Sequence, residues 1–188
     1  MKLENNFSVA AAPQEAWSIL VDVERVAPCL PGAKLTEVMD DNAYRGKVDV
    51  KLGPVSLTFD GNVRFVERDD EKYFAILKAD GREARGRGGA QANIKFSLDE
   101  SDGGSNVRVT TDLNLIGPVA QYGRSQGIVA AVSEEMVSQF AECLEERMIS
   151  GKNVELGEQN DASTSGVSIF IGALKRWISN ILNARLFR

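Results

Sequence analysis

The sequence predicts an α+β fold in which a curved antiparallel β-sheet of about seven strands wraps around one long C-terminal α-helix. Apolar and polar residues alternate with a period of two through much of residues 43–116, which is typical of strands with one face in water. After Gly117-Pro118 the period becomes that of a helix and persists for about eight turns. A sheet whose apolar face is closed by one helix buries both patterns.

Before the sheet, the sequence predicts a leading strand and two short helices. The first helix begins at Pro13, because proline fits the first turn of a helix, and the second covers residues 23–26. The loop that follows contains two prolines and ends at Gly32. Further strands are predicted at residues 34–39, 43–52, 55–65, 72–80, 88–98 and 106–116. Turn residues at Asp69 to Glu71, Asp80-Gly81 and Ser101 to Asn106 are expected to separate the later ones.

The last helix of this region has one continuous apolar face and is expected to end near Gly151. The face carries Tyr122, Val129, Val132, Met136, Phe140, Cys143, Leu144 and Met148.

Composition limits the chemistry of the chain. It has 188 residues, 43% of them hydrophobic, and no histidine, which excludes His-ligated zinc and Ser-His-Asp or Cys-His nucleophiles. No inward carboxylate pair suggests acid–base catalysis, so we expect no enzymatic activity. The N-terminus lacks an apolar run of signal-peptide length, which favours the cytoplasm. Cys29 and Cys143 are then expected to be reduced and buried.

Three segments are predicted: a folded domain over 1–150, a flexible polar linker over 151–166, and a basic amphipathic helix over 167–188. Residues 166–188 hold four cations and no carboxylate, whereas residues 1–165 carry a net charge of −9 within a total of −5. The acidic body argues against nucleic-acid binding. The helix is too interrupted to span a bilayer, and we expect it to lie on the cytoplasmic membrane surface. The expected contacts are Phe170, Leu174, Lys175, Arg176, Trp177, Ile178, Ile181 and Leu182. The alternative is that this helix packs against its own domain or a partner protein.

Several short motifs occur together in the first 148 residues: Pro13-x-Glu-x-Trp17, Cys29-Leu-Pro-Gly-Ala33, Tyr44-x-Gly-x-Val-x-Val-x-Leu-Gly-Pro54, Phe59-x-Gly61, Gly86-x-Gly-x-Ala-x-Ala92 and Gly117-Pro118. In this combination the chain resembles the CoxG family, the G-subunit family of carbon monoxide dehydrogenase. That family belongs to the helix-grip (SRPBCC) superfamily, which includes START lipid-transfer domains and the birch-pollen allergen.

The resemblance implies a seven-stranded sheet around the long helix, enclosing a hydrophobic ligand cavity. The candidate lining residues are Tyr44, Val48, Val50, Leu57, Phe59, Phe65, Ala90, Ala92, Ile94, Val109, Leu113, Tyr122, Val129, Met136 and Phe140. Small residues at Gly46, Gly61, Gly86, Gly88 and on to Ala92 leave little side-chain volume at one end of the sheet. They indicate either open space for a ligand or strand curvature and a close approach of the helix.

The resemblance also implies an accessory protein of a molybdenum-containing hydroxylase such as carbon monoxide dehydrogenase. We expect it to bind an apolar, lipid-like molecule without a covalent cofactor. A respiratory quinone, menaquinone or ubiquinone, is the ligand we favour over other lipids, since such an enzyme must pass electrons on. Its carbonyls would need a donor such as the hydroxyl of Tyr44 or Tyr122. The alternative is a ligand-free adaptor that recruits the enzyme to the membrane or helps it mature.

The stretch Arg82 to Gly89 is basic and rich in glycine. It could cradle a phosphate or grip an acidic partner, but it lacks the Gly-Lys-Ser/Thr ending of a P-loop. The other interpretation is a solvated hairpin shoulder.

Overall fold

The protein is described by a computed structural model that covers residues 1–123 and 126–150. The strands are β1 (Lys2–Val9), β2 (Ala33–Asp40), β3 (Ala43–Leu52), β4 (Val55–Asp69), β5 (Phe74–Glu83), β6 (Gly89–Ser101) and β7 (Gly104–Ile116). The helices are α1 (Pro13–Leu20), α2 (Val23–Val26), α3 (Ala120–Gly123) and α4 (Gln126–Ser150), with 3₁₀ turns at Ala27–Cys29 and Gly117–Val119. The predicted linker over 151–166 and helix over 167–188 lie outside the described residues.

The seven strands form one antiparallel sheet in the order β1-β7-β6-β5-β4-β3-β2. Strands β2 to β7 are a meander of hairpins, and β1 pairs with β7. The register separates the two faces: Phe59 lies opposite Val48 on the inner face, and Asp60 lies opposite Lys47 on the outer face. This confirms the α+β fold class and the seven-stranded antiparallel sheet.

The turn predicted at Asp80-Gly81 is wrong. Strand β5 continues to Glu83, and the connection to β6 comes at residues 84–88. Gly81 takes an inner position opposite Gly61 of β4 and Ala90 of β6. Gly86 and Gly88, which we expected on the inner face of β6, lie in the connection instead, with φ of 74° and 116°. These values suit glycine because a β-carbon disfavours positive φ.

A row of small residues therefore crosses the inner face from Gly46 through Gly61 and Gly81 to Ala90. A β-carbon on Gly61 would overlap the backbone of Asp80 and Gly81 on the next strand. A β-carbon on Gly46 would lie 2.8 Å from the carbonyl oxygen of Lys34, again too close. The glycines at these positions allow neighbouring backbones to crowd together, as the curvature interpretation requires.

One end of the sheet, which we call the α1 end, is covered by α1 and α2. Trp17 is 4% exposed, and its ring centroid lies 5.4 Å from that of Phe96 and 5.9 Å from that of Tyr73. Its indole nitrogen donates a 2.7 Å hydrogen bond to Asp70 in the β4–β5 turn. Removing a buried aromatic ring of this size typically costs about 3–5 kcal/mol. Trp17 therefore holds α1 on the sheet.

Helix α4 crosses the inner face and is held against β1 and the α1 end. Leu144 is 2% exposed, and the ring of Phe140 packs edge-on against Phe7 at 5.8 Å. Nearer the middle of the helix, the Ser133 hydroxyl donates a 2.8 Å hydrogen bond to the Asn5 side-chain oxygen on β1. These contacts fix the rotation of α4 over the sheet.

Cys29 and Cys143 form a disulfide that spans 114 positions of sequence. It joins the loop before β2 to the last third of α4. The expectation of two reduced thiols is therefore wrong for this structure. A cross-link over a loop of this length is expected to stabilise the fold mainly by constraining the unfolded chain.

The opposite end of the sheet, which we call the hairpin end, consists of the β3–β4 hairpin, the connection 84–88 and the end of β7. Glu83 is 3% exposed. Its carboxylate accepts a 2.7 Å bond from the Arg87 guanidinium and two bonds from the backbone N–H groups of Arg85 and Arg87. The guanidinium also donates to the Ser56 carbonyl at 3.1 Å. The ion pair thus links the connection to β4, and the stretch from Arg82 to Gly89 is a structured turn.

The first prediction contrasts two glycines of the inner row. Gly61→Ala should lower the free energy of unfolding by about 1–3 kcal/mol, since the backbone must move to admit a methyl group. Gly81→Ala is the matched control, because its β-carbon would meet its nearest neighbour, the Phe59 β-carbon, at an ordinary 3.4 Å. Urea denaturation measures both. Equal effects would contradict the crowding argument.

The second prediction concerns the disulfide. Protein isolated from its native cells with immediate alkylation should show no modified cysteine, and reduction should destabilise it by about 2–5 kcal/mol. Mass spectrometry counts the alkylated thiols, and Cys29→Ser with Cys143→Ser provides the reference. Since disulfides are rare in reducing compartments, two alkylated cysteines would support the cytoplasmic expectation against the bond.

The third prediction concerns pH. Hydrogen bonding to Arg87, opposed by desolvation and aided by two backbone N–H groups, lowers the pKa of Glu83 to about 2. A lowered folded-state pKa gives stability that is present above the unfolded pKa and lost as pH falls toward 2. Glu83→Gln should be less stable at pH 7 and should lose less further stability between pH 5 and pH 2. Parallel pH profiles of thermal unfolding for the two proteins would refute this.

Candidate functional site

Two separate buried clusters occupy the two ends of the inner face. The first cluster, at the α1 end, is built around Trp17, Val107 and Leu144. The second cluster, at the hairpin end, contains Leu57, Phe59 and Val119, with partly buried neighbours packed against them. The core of the described domain is therefore divided.

The inner positions between the clusters are only half-buried. Val63, Ala79, Ala92 and Leu113 form a cross-strand row on β4 to β7, and none of the four is buried. Protein interiors normally pack with few voids larger than a water molecule. Partial exposure on the face that receives the helix therefore indicates unfilled volume in the middle of the inner face.

A groove of about 930 Å³ opens between α4 and the β3 side of the sheet. Its apolar walls include Val50 of β3 and Ile128, Val132 and Met136 of α4. The backbone bond from Asp49 to the Gly32 carbonyl, 2.9 Å long, attaches the 30–32 loop to β3 and so shapes the third wall. A volume of this size is within the range of small-molecule sites.

The polar groups of the groove are few. Asp49, Lys51, Glu135 and Gln139 line it together with the apolar walls, and all four are exposed residues. A site with apolar walls and a sparse polar rim suits a ligand with a long apolar part and a few hydrogen-bonding atoms.

The structure distributes the predicted lining residues over four places. Val50 and Met136 line the groove; Leu57, Phe59, Val48, Ala90 and Tyr122 belong to the second cluster; Phe65, Val109 and Phe140 pack on the first cluster; and Ala92, Ile94 and Leu113 are half-buried between them. Tyr44 and Val129 are buried, at 9% and 8% exposure. These residues share the inner side of the domain, but only two of them line the groove.

The two tyrosines offered as polar handles differ in environment. The Tyr44 hydroxyl donates a 3.3 Å hydrogen bond to the Asp41 carbonyl at the α1 end. Burial, followed by the nearby carboxylates of Asp22 and Glu24, raises the pKa of Tyr44, so this phenol stays protonated. Tyr122 packs on the second cluster at the hairpin end. It is the tyrosine of the two whose cluster shares the hairpin end with the start of the groove.

Several lining residues were missed from the sequence. Pro31 and Gly32 were interpreted only as a rigid loop, and Ile128 falls outside the apolar stripe of α4 although 51% of it is exposed. The available signal was the Ile128-Val129 pair, where two adjacent apolar residues on a helix cannot both face the sheet.

The predicted membrane contacts from Phe170 to Leu182 lie outside the described residues. Within residues 1–123 and 126–150, no helix has the length and apolar character needed to cross a membrane. The same part of the chain contains no group of three or more Cys, Asp or Glu residues arranged to hold a metal ion.

Solved structures share the fold at low sequence identity. A conserved protein from Geobacillus kaustophilus is similar with a TM-score of 0.69 and 20% identity, covering 80% of this chain and 97% of its own. A protein from Thermus thermophilus gives 0.58 and 15%, covering 81% and 99%. The ZhuI aromatase/cyclase from Streptomyces sp. R1128 gives 0.55 and 14%, covering 79% and 95%. At these identities the likeness is one of fold alone.

No curated protein matches the sequence. Residues 6–149, which include every strand from β2 to β7 and nearly all of α4, match the family of the carbon monoxide dehydrogenase G subunit (CoxG). This match covers well over half of the chain and agrees with the motifs quoted from Pro13 to Pro118. The chain belongs to the CoxG family of carbon monoxide dehydrogenase.

Proposed function

We propose that this protein is a non-enzymatic carrier that binds an apolar, lipid-like molecule beneath α4. The observation that carries the proposal is the 930 Å³ groove with its walls of Val50, Ile128, Val132 and Met136. The half-buried middle of the inner face supports it, because an apolar chain entering the groove would cover that surface. Burying apolar area contributes about 25 cal/mol per Å², which favours a long aliphatic ligand.

A respiratory quinone is the ligand that fits the family context. The family name refers to carbon monoxide dehydrogenase, and an enzyme that oxidises its substrate must deliver electrons to an acceptor. An isoprenoid tail suits the apolar walls, and the quinone carbonyls require hydrogen-bond donors. Lys51 and Gln139 at the rim supply donors, and Tyr122 is a further candidate.

The partner and the place of action follow from the same reasoning. The protein serves a molybdenum hydroxylase complex, and the basic helix over 167–188 holds it on the inner face of the cytoplasmic membrane, where quinones dissolve. Its cations would meet anionic lipid while Trp177 sits at headgroup level. The linker over 151–166 would let the domain leave the lipid surface without losing its attachment.

An adaptor without a ligand is the second candidate. The crowded backbones at Gly61 and Gly46 favour it, since the small residues then serve curvature and leave no space for a ligand. Carrier and adaptor differ in whether an apolar compound accompanies the purified protein.

The fourth prediction tests this difference. The full-length chain purified without detergent should carry a quinone or related lipid, detected by native mass spectrometry and solvent extraction. Val132→Trp should reduce its content at least about tenfold, equivalent to about 1.4 kcal/mol, because the indole would fill the groove. Glu146→Trp adds the same side chain at an exposed position of α4 that does not line the groove, and it should retain the ligand.

Two results would argue for the adaptor. One is a wild-type protein that is empty in repeated preparations from quinone-rich cells. The other is equal ligand content in the two tryptophan variants, which would place any bound compound outside the groove.

A further inference from the structure

Charge is segregated between the two ends of the domain. At the hairpin end, residues 47–56 and 82–88 hold five cations and two carboxylates. At the α1 end, the segments 22–25, 40–41, 67–72, 99–102 and 142–147 hold fourteen carboxylates and four cations. Both carboxylates of the hairpin end are engaged, Asp49 by the Thr58 hydroxyl at 2.5 Å and Glu83 by Arg87 at 2.7 Å. A domain that is acidic overall therefore has one positive end.

Three cations of the hairpin end are uncommitted. Lys51, Arg82 and Arg85 are exposed and form no ion pair with any residue in the described part of the chain. Lys47 pairs with Asp60 at 3.3 Å, and Arg87 pairs with Glu83 inside the turn. The turn is rigid because the buried Glu83 carboxylate accepts two of its backbone N–H groups, so Arg85 projects from a fixed platform.

Exposed apolar residues accompany these cations. Ile116 at the end of β7 is 47% exposed and Ile128 near the start of α4 is 51% exposed. Gly88 lies against the Ile116 backbone, which places Ile116 beside the basic turn. Lys51 and Ile128 line one groove. Cations around exposed aliphatic side chains are the composition of a surface that rests on lipid headgroups.

We propose that the hairpin end of the folded domain is itself a docking face for an anionic lipid surface, with Lys51, Arg82 and Arg85 as its cations. The proposal rests on the carrier function, since it assigns the face through which that carrier meets the bilayer. The charge difference between the ends orients the domain, because the α1 end is repelled by the same surface that attracts the hairpin end. The end of the groove at Lys51 and Ile128 then faces the lipid.

The test uses the full-length chain and vesicles of phosphatidylcholine with increasing phosphatidylglycerol. Lys51→Glu with Arg85→Glu should weaken binding to anionic vesicles at least about tenfold, since each cation near such a surface contributes severalfold in affinity. Lys78→Glu with Lys95→Glu is the matched control: it makes the same change in net charge at exposed positions of β5 and β6, distant from the hairpin end. We expect its binding to change less than about threefold, as a long-range effect screened by salt.

The same pairs are compared in a Lys175→Glu, Arg176→Glu background, where the C-terminal cations contribute less. Equal binding of the two double variants in both backgrounds would overturn the docking face, and so would an effect confined to binding of an acidic protein. Circular dichroism and thermal unfolding establish that the variants are folded. Bound ligand is measured without vesicles: an empty wild type removes the carrier function while leaving the vesicle result intact, and the reverse outcome removes only the docking face.

Discussion

Six spacings of about 4.8 Å make a seven-stranded sheet roughly 29 Å wide, whereas an α-helix with its side chains is about 10–12 Å across. One helix must nevertheless cover the apolar face of this sheet. Curvature reduces the mismatch by drawing the strands around α4, and the crowded backbones at Gly46 and Gly61 are where the sheet bends. The area that remains uncovered has to be filled by other elements or left open.

The two ends of the domain resolve this mismatch differently. At the α1 end, Trp17 and the short helices complete the cover, and the disulfide and the Phe7–Phe140 contact hold α4 there. Towards the β3 side no comparable element is added among the described residues, and the groove remains. The stable half of the core thus supports a half whose apolar walls are available to a ligand.

The period-two alternation was sufficient to predict the sheet, because every strand of the meander has one polar face that follows sequence order. The errors came from residues with two physical roles. Asp80-Gly81 is a common turn signal, yet Gly81 is needed at a crowded inner position. The disulfide joins residues 114 positions apart, which no local pattern specifies. The candidate lining residues were correctly assigned to the inner face, but the groove depends on which inner positions α1 and α2 cover, and that is decided by tertiary packing.

The link between Cys29 and Cys143 also has a mechanical consequence. The 27–32 loop and α4 form two walls of the groove, and the disulfide pins them together just beyond Gln139. Any widening of the groove must therefore take place as a pivot about this bond, with the largest displacement between β3 and the first turns of α4. The groove is built like a clasp that is fastened at one end, and a bulky head group would enter from the end near Ile128.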